Sequence, residues 1–178
     1  MKRILFVGGS LNQTTICHAV ARQLEDDYEC WFSAYFVDGV YEPMRRAGML
    51  DVTVAGGNQR RRTEEYLQRQ QLPVDYGGRR GNYDLYVYVS DILLPQRVRD
   101  KQLLLIQEGM TDPEGLMYHL TKTLRLPLYF GGTSTTGLSH AYQYFCVASD
   151  GYRDLFVSKG VKPDKLRVTG IPNFDHAA

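Results

Sequence analysis

The chain has little from which to build a disulfide framework, a metal centre or a membrane span. Cys17, Cys30 and Cys146 are its three cysteines, and no two stand in a C-x-x-C spacing. Three separated thiols predict reduced, mostly buried side chains in a cytoplasmic protein, and no metal site. No apolar run approaches the roughly 18–20 residues needed to cross a bilayer. The run at residues 4–7 is too short for the core of a secretory signal. Excess charge of one sign is also missing, with 21 Lys and Arg against 20 Asp and Glu. Such a balance creates no chain-wide field for nucleic acid, and no nucleic-acid-binding motif is present. Internal repeats and low-complexity tracts are absent. So is the dinucleotide fingerprint G-x-G-x-x-G: Gly8-Gly9-Ser10 lacks the later glycines, and no Walker lysine follows. The expectation is that no cofactor is bound permanently.

What is present is apolar pattern. With 178 residues and 43% hydrophobic side chains, the chain can bury one sizeable core. Short apolar runs at residues 3–7, 29–37, 84–90 and 103–107, and others starting near Tyr144 and Leu166, read as buried parallel strands. Helical patterns lie between them. One covers 12–25, with Ile16, Ala19, Val20 and Leu24 as its apolar face. Others cover 43–48 and 63–70. A further helix starts near Thr111 and turns Leu116, Leu120 and Leu124 inward, with residues 126–130 extended after it. The last runs from the N-cap Ser149 to Gly160. The predicted fold is α/β: a Rossmann-like, mostly parallel open sheet with helices on both faces, in a single domain over 1–178.

Open parallel sheets bind ligands at the carboxyl ends of their strands, so candidate chemistry is sought there. After the first strand, Gly9 would let a ligand approach the backbone, and Ser10, Asn12 and Thr14 offer hydroxyls and an amide. The same residues would also serve a tight turn and a helix cap. Asp91 and Glu108 end the third and fourth strands, where a carboxylate can act as general acid or base. The alternative is that each caps the turn that follows. Residues 131–139 form a loop rich in Gly, Ser and Thr. In it Thr133, Ser134 and Thr135 could hydrogen-bond a sugar or phosphate, or make an ordered surface connection. His140 follows as the candidate imidazole for acid–base work. Gly170 and Asn173 lie in the loop after the last strand. Asp38 ends the second strand, where dinucleotide folds hold a ribose, but the missing fingerprint argues against that role. The basic part of the chain runs from Arg45 to Arg80. It reads as a solvated face or as a contact for an anionic acceptor or a membrane surface. Residues 72–78 read as a flexible loop able to act as a lid.

The closing segment, SDGYRDLFVSKGVKPDKLRVTGIPNFD, carries a family resemblance. Its helix, Pro-Asp-Lys turn and V-T-G-x-P-N-x-D run resemble the end of the N-terminal domain in GT-B glycosyltransferase-like proteins. That group includes UDP-N-acetylglucosamine 2-epimerases and CDP-glycerol glycerophosphotransferase-type enzymes. The resemblance implies two Rossmann-like domains, the first holding an acceptor and the second a nucleotide-activated donor. This chain then ends where the donor domain would begin, so its partner is that missing C-terminal domain or a second subunit. The implied acceptor is a sugar, lipid or polymer. The expected location is the cytoplasm, with peripheral contact at the inner face of the membrane through the Arg45–Arg80 region as the alternative, and the expected role is in cell-envelope polysaccharide synthesis. The 2-epimerase branch has an Asp in Gly-Asp-Thr and a Glu in His-Val-Glu-Ala-Gly-Leu-Arg. Ser90-Asp91-Ile92 and Gln107-Glu108-Gly109-Met110 stand at those places. Gly and Thr around the Asp, and the Ala and Arg around the Glu, are replaced or absent. A transferase is therefore expected ahead of an epimerase, with a free-standing ligand-binding module as the third reading.

Overall fold

Six parallel strands make one sheet, ordered β2-β1-β3-β4-β5-β6. The structure is a computed structural model that describes residues 1–51 and 53–172. The strands are β1 (Lys2–Gly8), β2 (Tyr28–Ala34), β3 (Leu85–Tyr88), β4 (Leu103–Ile106), β5 (Tyr144–Val147) and β6 (Leu166–Val168). Among the described residues five α-helices join them: α1 (Leu11–Ala21), α2 (Tyr41–Arg46), α3 (Gly57–Arg69), α4 (Leu116–Leu124) and α5 (Asp150–Lys159). No helix among the described residues is long and apolar enough to cross a membrane.

Alternation along the strands creates two cores, because successive side chains point to opposite faces. Ile4 and Phe6 of β1, with Val87 and Ile106, meet Ile16, Cys17 and Ala21 of α1 and Leu67 of α3. Leu5 and Val7, with Tyr88, Leu105, Phe145 and Val147, face the other way against Phe156 of α5 and the loop residues Leu50, Leu93 and Val98. Helices thus cover both faces, as the apolar runs predict for a Rossmann-like sheet. Gly8 lets α1 pack tightly on β1, since a Cβ there would lie 2.5 Å from Thr14 Oγ1.

Several local expectations are corrected. Helix α1 is shorter than the pattern suggests, and its inward face is Gln13, Thr14, Ile16, Cys17 and Ala21. Ala19 is exposed and Val20 only half-buried because that inward face excludes them, and Leu24 is half-buried in the turns beyond Ala21. Helix α3 begins six residues early, so the arginines at 60–62 lie inside it. Helix α4 is rotated. Tyr118 and Thr121 are buried, while Leu116, Leu120 and Leu124 are exposed. Lys122 Nζ donates to the Lys159 carbonyl at 3.0 Å and so pins the polar side of α4 to the end of α5. Residues 128–135 coil into 3-10 turns rather than an extended piece. Residues 72–78 are not a lid: Val74 bridges to Phe32, and the Gly77 amide donates to Ser33 Oγ at 2.9 Å.

Candidate functional site

The strand order reverses at β1, whose neighbours are β2 on one side and β3 on the other. The crevice at the carboxyl ends of β1, β3 and β4 is therefore the topological switch point. A cleft of about 520 Å³ opens there. Ser10, Asn12 and Gln13 from the start of α1 line one wall. Glu108 and the segment after it, to Asp112, line another, and Val54, Thr133 and Thr136 close the sides.

Glu108 is the centre of this cleft. Its Oε1 accepts from Asn12 Nδ2 at 3.0 Å and Ser10 Oγ at 3.3 Å. Its Oε2 accepts from Gln13 Nε2 at 2.8 Å. All three donors stand in the N-cap and first turn of α1, where side chains lean back toward the helix start. Ser10 is also the N-cap, its hydroxyl accepting from the Gln13 amide at 3.1 Å. Gln13 is buried, and its carbonyl oxygen accepts from the Gly9 amide at 2.9 Å. One carboxamide therefore ties the β1–α1 turn to the end of β4. The sequence pattern gave no notice of Gln13, because a polar residue in an apolar helix reads as solvent-facing. Its place in the first turn after a glycine pair is the available signal.

The other candidates are distributed unevenly. Thr133 is at the cleft wall, where its hydroxyl donates to Asp112 Oδ2 at 2.5 Å and accepts from the Asp112 amide at 3.0 Å. Gly9 is buried beneath the cleft, where a Cβ would meet Val54 Cβ at 2.4 Å. Its small size serves packing of the Val54 loop. Ser134 and Thr135 are buried and spend their hydroxyls on the local backbone. Ser134 Oγ donates to the Gly131 carbonyl at 2.6 Å, and Thr135 Oγ1 to the Leu128 carbonyl at 2.7 Å. Gly170 lies instead beside a groove between α1 and β6, with Thr169 and Ile171. Asn173 falls outside the described residues.

Asp91 and His140 are held away from the cleft. Asp91 is fully buried, and its two oxygens accept from the Gly137 amide at 2.9 Å and the Ser139 amide at 3.1 Å. Burial pushes its carboxyl above the ordinary range, and the Gly137 and Ser139 donors oppose that rise. The carboxylate thus staples the residue 137–139 turn under the sheet edge. His140 lines a depression with Leu85, Leu103 and Tyr144, at the amino ends of β3, β4 and β5. That is the opposite edge of the sheet from Glu108. Burial and the neighbouring Lys165 ammonium hold its imidazole below the ordinary value. Asp38 accepts from the Gln96 and Arg97 amides at 2.8 and 3.0 Å, which caps the 3-10 turn at Gln96–Val98.

Among the described residues, no group of three or more His, Cys, Asp or Glu could hold a metal ion. Cys17 is buried, and burial pushes its thiol up to about 12, with Glu108 adding to the rise.

No family model matches the chain, and no curated protein matches it. A solved structure, Anabaena HepE in complex with UDP and glucose, superposes on 96% of this chain with a TM-score of 0.44 and 14% identity. The chain spans 44% of that protein's length.

Proposed function

We propose that this domain is the acceptor-side part of a glycosyltransferase-like enzyme of GT-B architecture, using a nucleotide-activated sugar or glycerol phosphate, with Glu108 as the general base. The observation that carries the reading is the Glu108 carboxylate, fixed by three side-chain donors from α1 in a hydroxyl- and amide-lined cleft at the switch point. A cleft of this kind suits a polyhydroxylated acceptor. An acceptor hydroxyl entering it exchanges with the Ser10 or Asn12 donor on Glu108. Glu108 takes the hydroxyl proton, and the oxygen attacks the donor's electrophilic carbon or phosphorus. The bond to the leaving nucleotide breaks, and its electron pair goes to the departing phosphate oxygen. Thr133 and Asp112 at the wall would orient the acceptor's other hydroxyls. The donor would be held by residues outside this domain.

The burial of Asp91 favours a transferase over a 2-epimerase. An epimerase needs two acid–base groups facing one sugar, and Asp91 is turned into the fold against two amides.

The test is product analysis on the protein in its complete native reading frame, with nucleotide-sugar and CDP-glycerol donors and a panel of acceptors. Acceptor-dependent release of nucleotide, abolished in Glu108→Gln, is the expected result. Sugar epimerisation without acceptor would select the epimerase reading instead. Tight ligand binding with no turnover would select a binding module.

A further inference from the structure

The basic stretch between Arg45 and Arg80 is not uniform once folded. Arg45 and Arg46 both engage Glu42, at 2.8 and 3.0 Å. Arg60 pairs with Glu64 at 2.8 Å, and Arg61 lies 3.6 Å from Glu65. These are the neighbouring pairs that helices make three and four residues apart. Arg79 has no side-chain hydrogen bond or ion pair among the described residues. The second guanidinium is that of Arg97, from the loop after β3. Both flank Gly77: a Cβ on that residue would lie 3.1 Å from Arg97 Nη2 and 3.7 Å from Arg79 Nε.

These two groups and Arg46 line one concave cleft of about 370 Å³, with Gly39 and the acids Asp38 and Glu42. Neither acid forms an ion pair with Arg79 or Arg97. Asp38 accepts from two backbone amides of the turn that carries Arg97, and Glu42 bridges Arg45 and Arg46. Arg97 is fixed in place by its bond to the Gly77 carbonyl and by lying 4.6 Å over the Phe36 ring. Two guanidinium charges lining one cleft, neither of them paired with a carboxylate, favour an anion that joins them. Guanidinium forks match the oxygens of a phosphoryl group in both geometry and charge.

We infer that the Arg46–Arg79–Arg97 cleft binds a phosphomonoester group, borne by a small metabolite or by a lipid headgroup. It shares no lining residue with the Glu108 cleft, so it is a second site and does not depend on the transferase reading.

Calorimetric titration with glycerol 3-phosphate tests it, alongside flotation with vesicles of equimolar phosphatidylcholine and phosphatidic acid. Arg79→Ala removes an exposed side chain, and Arg69→Ala is the charge-matched control at the end of α3. The expected result is saturable glycerol 3-phosphate binding that Arg79→Ala weakens by about 10-fold or more and Arg69→Ala leaves unchanged. If vesicles also float the protein and glycerol 3-phosphate releases it, the phosphate is lipid-borne. Indifference to the vesicles makes it a free metabolite. Absence of saturable binding to either probe, or equal weakening by both substitutions, overturns the site. Glu108→Gln should bind glycerol 3-phosphate as the unmodified protein does, so failure of the transferase reading would leave this result untouched.

Discussion

Asp91 and Glu108 begin as equals. Each follows a buried parallel strand at the carboxyl edge of the sheet, and β3 and β4 are neighbours. Yet Asp91 is wholly buried with both oxygens on backbone amides, and Glu108 faces a cleft with side chains as its donors. The difference lies in what returns to each carboxylate. The residue 137–139 turn folds back over Asp91 and offers N–H groups that only an acceptor can satisfy. The chain after Glu108 runs out along the cleft wall, leaving the first turn of α1 to supply donors that a ligand can replace. A carboxylate bonded to backbone serves the architecture, while one bonded to exchangeable side chains can meet a ligand.

The comparison can be broken most directly at Glu108. On the proposed transferase reading, Glu108→Gln should cut turnover by the full-length protein by about 100- to 10,000-fold, with the denaturation midpoint nearly unchanged. An equal loss of stability would make Glu108 architectural as well. Asp91→Ala should behave in the opposite way and destabilise the fold by about 3 kcal/mol, because the buried Gly137 amide and the half-buried Ser139 amide lose their acceptor. Urea denaturation followed by circular dichroism would show it. Gln13→Ala sits between the two. It should cost about 1–2 kcal/mol of stability for the bond from the Gly9 amide and lower turnover less than Glu108→Gln does. His140→Asn should change stability by no more than about 0.5 kcal/mol and leave turnover alone, because it lies at the other edge of the sheet.

A third carboxylate sharpens the contrast by pH. Hydrogen bonding from Arg45 holds Glu42 at about 2, against an ordinary value of 4.5. Its support of α2 is therefore complete above the ordinary value and fades as pH falls toward 2. Asp91 shifts the other way, so it favours the fold most when protonated and less as pH rises through its raised value. Carbonyl NMR titration of the two residues should show them displaced in opposite directions.

The sheet was legible because buried parallel strands must be apolar on both faces, and runs such as 4–7 and 103–106 admit few other readings. Helix orientation was less legible. The four-residue spacing of Leu116, Leu120 and Leu124 describes an apolar stripe, but Lys122, reaching the Lys159 carbonyl, decides which side of α4 meets the protein. Glu108, Ser10, Asn12 and Thr133 come together because strand ends and the helix start share one edge. Ser134 and Thr135 share the composition of Thr133 but are consumed by 3-10 geometry, which a Gly- and Ser-rich sequence does not announce. Gln13 escaped because its function is to connect two turns far apart in sequence.

Pairing is longest at the β2–β1 end of the sheet and short from β3 onward. Strands β1 and β2 align over seven residue pairs, from Lys2 with Tyr28 to Gly8 with Ala34, while β5 and β6 align over three. Opening free energies should follow that difference. In hydrogen–deuterium exchange, amides of Leu5 to Val7 should wait for global unfolding, and those of β6 should exchange first through fraying of the edge. The Glu108 cleft draws its walls from the segments that follow β1 and β4, so a bound ligand ties the slow-exchanging half to the middle of the sheet. Its signature would be protection spreading to Leu105 and Ile106 while β6 still exchanges freely.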